Sequence, residues 1–224
     1  MDDVLMSAAL FSALDDEAAA ALRASMVEVR LERGELLFNE GEPGDRMYIV
    51  ESGKIKLGTT AADGRESLIA VLGPGEQFGE LSLFDPGPRT ATARALTDAT
   101  ILGLGHDALR PWLTGRPEVA ESLLAALAQR LRRTNDAMAD LVFSDVPGRV
   151  AKALLDLGEK FGQARPDGLY VAHDMTQEEL AQLVGASRET VNKALADFVQ
   201  RGWVQLEPRA ILIIDTDRLH RRAK

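Results

Sequence analysis

Residues 78–93 read FGELSLFDPGPRTATA and set one carboxylate, Glu80, and one guanidinium, Arg89, nine positions apart among apolar neighbours. Two readings fit that spacing. The pair can be a surface salt bridge, worth about 0 to 1 kcal/mol. Alternatively, the glycine and proline turns hold the two charges apart, as halves of a socket for a ligand that is both sugar and phosphate. A surface ion pair needs no such turn scaffold.

Outward from this stretch the pattern is β. After a helical segment from about Val4 to Ser25 come short apolar runs: MVEVRL, ELLFNEGEPGD, RMYIVESGKIKLGTT, ESLIAVLGPGEQFG and TATARALTDATILGLG. Runs of four to eight residues between Gly, Pro and Asp turns predict many short antiparallel strands, a small β-barrel or roll. Gly41, Gly44, Gly53, Gly64, Gly73, Gly75 and Gly79 stand where tight turns need positive φ or close backbone approach.

From Pro117 to about Phe143 the period becomes helical. Leu124, Leu127, Leu131, Thr134, Met138 and Leu141 recur at alternating steps of three and four, a coiled-coil seam. Such a helix is about 40 Å long at 1.5 Å per residue, too long to bury within a small domain. The seam can pack on the protein's own roll. A partner helix suits it better, because exposed charge lies between the apolar positions. Thr134, next to Asn135, interrupts the seam at a cost in stability; it can fix register or touch a ligand.

SDVPGR at 144–149 reads as a hinge at which Pro147 and Gly148 break the helix and a new one begins near Val150. The boundaries are therefore 1–116 for the roll, 117–144 for the long helix and hinge, and 145–224 for a second domain. Within the last, Met175–Val204 reads MTQEELAQLVGASRETVNKALADFVQRGWV. Thr176 and Glu179 form a capping box, and Gly185 turns the chain. Ser187 caps a second helix, and the small Ala181 lets the two helices cross closely. The apolar runs of WVQLEPRAILIID follow as a hairpin, which makes a winged helix-turn-helix rather than an ordinary helical hairpin.

A second helix lying in a DNA major groove presents its N-terminal residues to base edges. Those are Arg188 and Glu189, with Lys193 one turn on; Arg suits guanine and Glu suits cytosine, unless both simply decorate a solvated face. Thr176, Gln177, Ser187, Thr190 and Arg209 on the wing suit phosphates. The net charge of −9 seems to oppose this, but it lies in residues 1–144, with 14 Lys or Arg against 23 Asp or Glu; residues 145–224 carry 12 of each and end in the basic RLHRRAK.

With 46 % hydrophobic and 27 % charged residues the composition is that of a folded soluble chain. No signal peptide or membrane span is read at the acidic start, so the predicted location is cytoplasmic, with no membrane partner. The absence of cysteine excludes disulfides and thiolate metal sites, and three scattered histidines, His106, His173 and His220, suggest no metal centre and are read as surface residues. No nucleophile and base pair points to an enzyme.

Together these motifs resemble the CRP/FNR superfamily of bacterial transcription regulators, most closely the GlxR-like cyclic AMP receptor proteins of actinobacteria. The phosphate-binding cassette of that family is matched by Phe78, Gly79, Glu80 and Leu81, then Arg89, Thr90 and Ala91, with the helix-turn-helix at the expected distance. The resemblance implies an α+β chain: a cyclic-nucleotide-binding β-roll of the double-stranded jelly-roll type, a long dimerisation helix and a C-terminal winged helix-turn-helix. It further implies a non-enzymatic homodimer that binds cyclic AMP as allosteric ligand, binds double-stranded DNA and meets RNA polymerase at promoters. Gly79, Glu80, Leu81, Arg89 and Thr90 then hold ribose and phosphate. Thr134 and Asn135 meet the adenine, one from each subunit. Arg130, one turn earlier, faces either the pocket or solvent. Many relatives have Ser where Asn135 stands and Arg where Lys193 stands; Lys lacks the bidentate fork. A regulator that binds DNA constitutively, or answers another cyclic nucleotide, remains an alternative.

Overall fold

The structure, a computed structural model, describes residues 3–12, 14–85 and 87–224. Its chain forms two compact units, Met1–Thr59 with Ile69–Arg132, and Thr60–Leu68 with Arg133–Lys224.

Among the described residues, eight strands lie between residues 27 and 105: β1 (Val27–Leu31), β2 (Leu36–Phe38), β3 (Arg46–Ser52), β4 (Ile55–Thr60), β5 (Glu66–Leu72), β6 (Gln77–Phe78), β7 (Thr92–Ala95) and β8 (Ala99–Gly105). They form two four-stranded sheets, ordered β1-β8-β3-β6 and β2-β7-β4-β5. The pairings of β8 with β1 and β3, and of β7 with β2 and β4, are antiparallel. This is the roll that the apolar runs predict.

Strand β3 shows why its run is continuously apolar rather than alternating. Tyr48 and Val50 point into the roll beside Phe38, Phe78 and Ile101. Met47 and Ile49 point the other way, under Leu10, Phe11, Leu22 and Leu109. Both faces are buried, so period-2 geometry does not appear as period-2 polarity. The covering layer is α1 (Asp3–Met6), α2 (Asp16–Ala24), α4 (His106–Gly115) and the start of α5 (Pro117–Phe143), around the short cassette helix α3 (Leu81–Phe84).

Three expectations need correction. The N-terminal helix is not continuous from Val4 to Ser25. The Ser7 and Ser12 hydroxyls bond the carbonyls of Val4 and Ala9, and Asp15 caps a new helix by accepting from the Ala18 N–H. Pro147 and Gly148 do not break a helix but sit in the first turn of α6 (Val146–Phe161), which Asp145 caps through the Gly148 N–H at 2.9 Å; a proline there loses no intrahelical bond. His173 is buried rather than on the surface, its Nδ1 accepting from the Met175 N–H at 3.1 Å.

The second unit continues with the hairpin β9 (Gly162–Arg165) and β10 (Gly168–Val171), helices α7 (Gln177–Val184) and α8 (Arg188–Gln200), the wing β11 (Val204–Glu207) and β12 (Ala210–Ile213), and α9 (Thr216–Arg222). One sheet, ordered β11-β12-β10-β9, joins the two hairpins. Val191, Leu195 and Phe198 of α8 are buried, as are Leu180, Ala181 and Val184 of α7.

Candidate ligand and nucleic-acid sites

In the first unit the cassette begins at Gly79, whose φ of 77° gives the turn into α3. Its carbonyl accepts from Arg89 Nη1 at 3.0 Å, and a Cβ at Gly79 would stand 2.8 Å from that nitrogen. Arg89 is anchored at the backbone by the segment 41–45: its N–H donates to Glu42 O at 2.7 Å, and its carbonyl accepts from Gly41 N–H at 2.8 Å. The guanidinium carbon lies 4.2 Å from the Phe38 ring centre and 5.6 Å from that of Tyr48. Those two rings stack, as do Tyr48 and Phe78. Burial pushes the Tyr48 phenol above its ordinary range, with the Arg89 charge opposing.

Glu80 and Arg89, only 2 % and 4 % exposed, are not ion-paired with each other. Glu80 Oε1 instead accepts from Arg130 Nη1 at 2.8 Å, across fifty residues of sequence. Arg130 thus faces the cassette, which settles the open choice between pocket and solvent. Glu80 Oε2 and Arg89 Nε are buried without a hydrogen-bond partner. Unsatisfied buried charge is costly, so two such atoms of opposite sign in one cassette mark a place shaped for something else. The donor set fits a ligand with a hydroxyl to give and an anionic oxygen to receive. Of the other cassette residues, Leu81 and Thr90 are exposed beside the pair.

Of the two roles expected of the turn glycines, positive φ or close approach, Gly44 takes the second, since its φ is not positive. Its role is close approach: a Cβ would run into the Ser82 hydroxyl and come within 3.1 Å of Arg89 Nε.

On α5, Leu124, Leu131, Met138 and Leu141 are all more than half exposed, and Phe143 is 86 % exposed. A seam so bare on a folded chain is unfinished surface. Thr134 and Asn135 lie in the second unit and are exposed. Behind them the elbow into α6 is densely bonded. Arg149 donates to Ser144 O at 2.7 Å, Val184 O at 3.0 Å and Gly185 O at 3.3 Å, and Lys152 pairs with Asp140.

The helix-turn-helix has the expected local chemistry. Thr176 Oγ1 accepts from the Glu179 N–H and Glu179 answers to the Thr176 N–H. Gly185 is left-handed at φ 68°, and Ser187 caps α8 through the Thr190 N–H at 3.2 Å. Thr176, Gln177, Ser187, Arg188, Glu189, Thr190, Lys193 and Arg209 are all exposed. Arg209 stands at the wing tip with φ 58°. Sequence reasoning did not anticipate that Glu189 and Lys193, both expected at bases, hold each other at 2.7 Å; the i, i+4 spacing was the available signal.

A roll whose buried carboxylate and guanidinium each keep one polar atom without a partner, followed by an exposed helical seam and a winged helix-turn-helix, defines a ligand-sensing nucleic-acid-binding protein. Residues 28–114 match the cyclic nucleotide-binding domain, and residues 148–222 match the Crp-like helix-turn-helix domain. The chain is 55 % identical over 224 residues, all of both chains, to the CRP-like cAMP-activated global transcriptional regulator of Mycobacterium tuberculosis. Among solved structures it is similar to FixK2 from Bradyrhizobium japonicum, at TM-score 0.79 and 26 % identity over 89 % of this chain and 98 % of that one. It is also similar to the c-di-GMP responsive global regulator CLP of Xanthomonas campestris, at TM-score 0.76 and 25 % identity over 89 % and 99 %. The chain belongs to the CRP/FNR family of transcription regulators.

Proposed function

We propose that the chain is a homodimeric transcription regulator whose DNA binding responds to cyclic AMP. The observation that carries this reading is the pair of buried, unpartnered atoms, Glu80 Oε2 and Arg89 Nε. A cyclic nucleotide supplies one ribose hydroxyl and one singly charged phosphodiester, which are the complements of those two atoms. Glu80 accepts the hydroxyl at Oε2 while Oε1 stays on Arg130, and Arg89 with Thr90 holds the phosphate. Gly79 and Leu81 shape the turn between them. Thr134 and Asn135 complete the site toward the adenine, one from each protomer, with the bare α5 seam as the dimer contact.

The roll is then residues 1–116, the dimer helix 117–144 and the DNA-binding domain 145–224. Arg188, Glu189 and Lys193 read bases; Thr176, Gln177, Ser187, Thr190 and Arg209 hold phosphates. Two protomers related by a twofold axis read a palindromic site. The ligand shifts DNA affinity only by as much as it binds one arrangement of the chain better than the other. A cytoplasmic location and contact with RNA polymerase at promoters are part of the proposal and draw on the likeness to CRP-like regulators. Among the described residues no helix is long and apolar enough to cross a membrane.

Calorimetry of Arg89→Ala with cyclic AMP tests the reading. The variant loses a charge-assisted contact worth about 1.5 to 3 kcal/mol, so affinity falls at least tenfold; unchanged affinity would sink the cassette assignment. A second reading, response to another cyclic nucleotide, draws on the likeness to the c-di-GMP responsive CLP. Titration with cyclic AMP, cyclic GMP and cyclic di-GMP, with DNA affinity measured alongside, separates the two.

A further inference from the structure

The near-neutral charge of residues 145–224 conceals a sharp division. Residues 216–224 carry four Lys or Arg against one Asp, net +3, whereas residues 145–215 carry eight against eleven, net −3. Most cations of this domain are already engaged. Arg149 holds carbonyls, and Lys152, Lys193, Arg201, Arg218 and Arg222 hold carboxylates. Arg165 lies over Tyr170, and Lys160 has an interaction of its own. Among the described residues of 145–224 the cationic side chains left without a partner are Arg188, Arg209, Arg221 and Lys224. The first two are on the recognition helix and the wing tip. Arg221 and Lys224 are at the end of α9 and beyond it, exposed, with the exposed His220 beside them.

The place of α9 is fixed by contacts within the same unit. Leu219 is fully buried, and Arg222 Nη2 donates to both carboxylate oxygens of Asp145, at 2.8 and 2.6 Å. Asp145 is the cap of α6, and Arg149 in the first turn of α6 reaches the carbonyls of Val184 and Gly185. Gly185 is two residues before Ser187, the cap of the recognition helix. A short chain of bonds thus runs from the end of α9 to the start of α8, and free positive charge stands at both of its ends.

We propose that residues 216–224 form a cationic arm, docked by Arg222 on Asp145, whose Arg221 and Lys224 bind DNA backbone phosphates alongside the recognition helix without reading sequence. The partner is duplex DNA. The inference rests on the DNA-binding reading above and extends its surface. Charge complementarity and continuity with the helix-turn-helix argue for this occupant. A domain that is otherwise net negative repels the polyanion it must approach, and the arm offsets that repulsion where the two meet.

The test uses the full chain, saturated with cyclic AMP, on an operator duplex selected by the protein and on a scrambled duplex, over a range of KCl concentrations. Each phosphate contact contributes about 0.9 to the slope of log Kobs against log salt. Arg221→Gln/Lys224→Gln is expected to lower that slope by about 1 or more and to weaken both duplexes in parallel, leaving cyclic AMP affinity and the melting temperature unchanged. Arg222→Gln keeps both free cations but unseats them, and is expected to lower the slope as well. An unchanged slope in the double variant overturns the arm, as does weakening confined to the operator. A lowered slope in a protein whose DNA affinity ignores cyclic AMP would support the arm and count against the ligand reading instead.

Discussion

Arg130 of α5 donates to Glu80 of the cassette at 2.8 Å, joining a residue almost wholly buried to one 39 % exposed at its side chain. Removing one partner of a buried pair leaves an uncompensated charge. Given the exposure of Arg130, Arg130→Gln is expected to cost about 1 to 3 kcal/mol in urea unfolding without ligand. The double variant Glu80→Gln/Arg130→Gln should be less destabilised than the two single changes summed, because the stranded carboxylate is gone. Additive effects would mean that the bond contributes nothing in solution.

Gly44→Ala places a methyl group against the Ser82 hydroxyl and near Arg89 Nε. The backbone there has no positive φ, so the change is steric rather than conformational. Overpacking of this kind costs about 1 to 3 kcal/mol. The expected signature is a fall in cyclic AMP affinity of tenfold or more, read by calorimetry, with the fold intact by circular dichroism. Full affinity would show that the cassette has room to spare.

Arg188 is the free cation at the start of α8, and Glu189 and Lys193 are tied to each other. Arg188→Ala is expected to cost about 1 to 3 kcal/mol on the operator and to relax preference at one base pair. Uniform weakening over all sequences would move Arg188 to the phosphates. Glu189→Gln releases Lys193, and scrambled DNA should then bind more tightly, because one repelling charge is lost and one cation is freed.

The Arg222 guanidinium, then the Gly148 N–H, hold the Asp145 carboxyl below its ordinary value of 3.8. A carboxyl depressed in the folded state binds its proton less readily there than when unfolded. Its contribution to stability is therefore present above pH 3.8 and lost as pH falls from there through the folded value. Asp145→Asn should flatten the acid limb of stability below about pH 4 in thermal melts, with no change in slope near neutrality. An unaltered acid limb would place the Arg222 contact outside the folding equilibrium.

Much of the fold was legible because turns and periods announce it. The cassette, the long helix and the helix-turn-helix stand where glycine, heptad spacing and caps put them. The misses have physical causes. In α4, Pro111 lies inside the helix and no side chain caps its start, so breakers masked it. Strand β9 is GQAR, with no branched or aromatic residue, and takes its place from pairing with β10. Helix α9 offers one apolar anchor, Leu219, among charges. Arg130 looked like any cation on a helix face; only tertiary contact gives it to Glu80. His173 read as a surface residue because nothing local shows that neighbouring elements cover it.

The ion pair between Glu189 and Lys193 has a consequence for how such a protein finds its site. A recognition helix that neutralises part of its own face adheres weakly to arbitrary duplex, so each wrong encounter is short. Cognate base edges can replace the internal partner of each residue, and only there does opening the pair return its cost. On the proposed DNA reading, the free protein is thereby biased toward brief sampling and long arrest, a division between search and stop carried by two residues one helical turn apart.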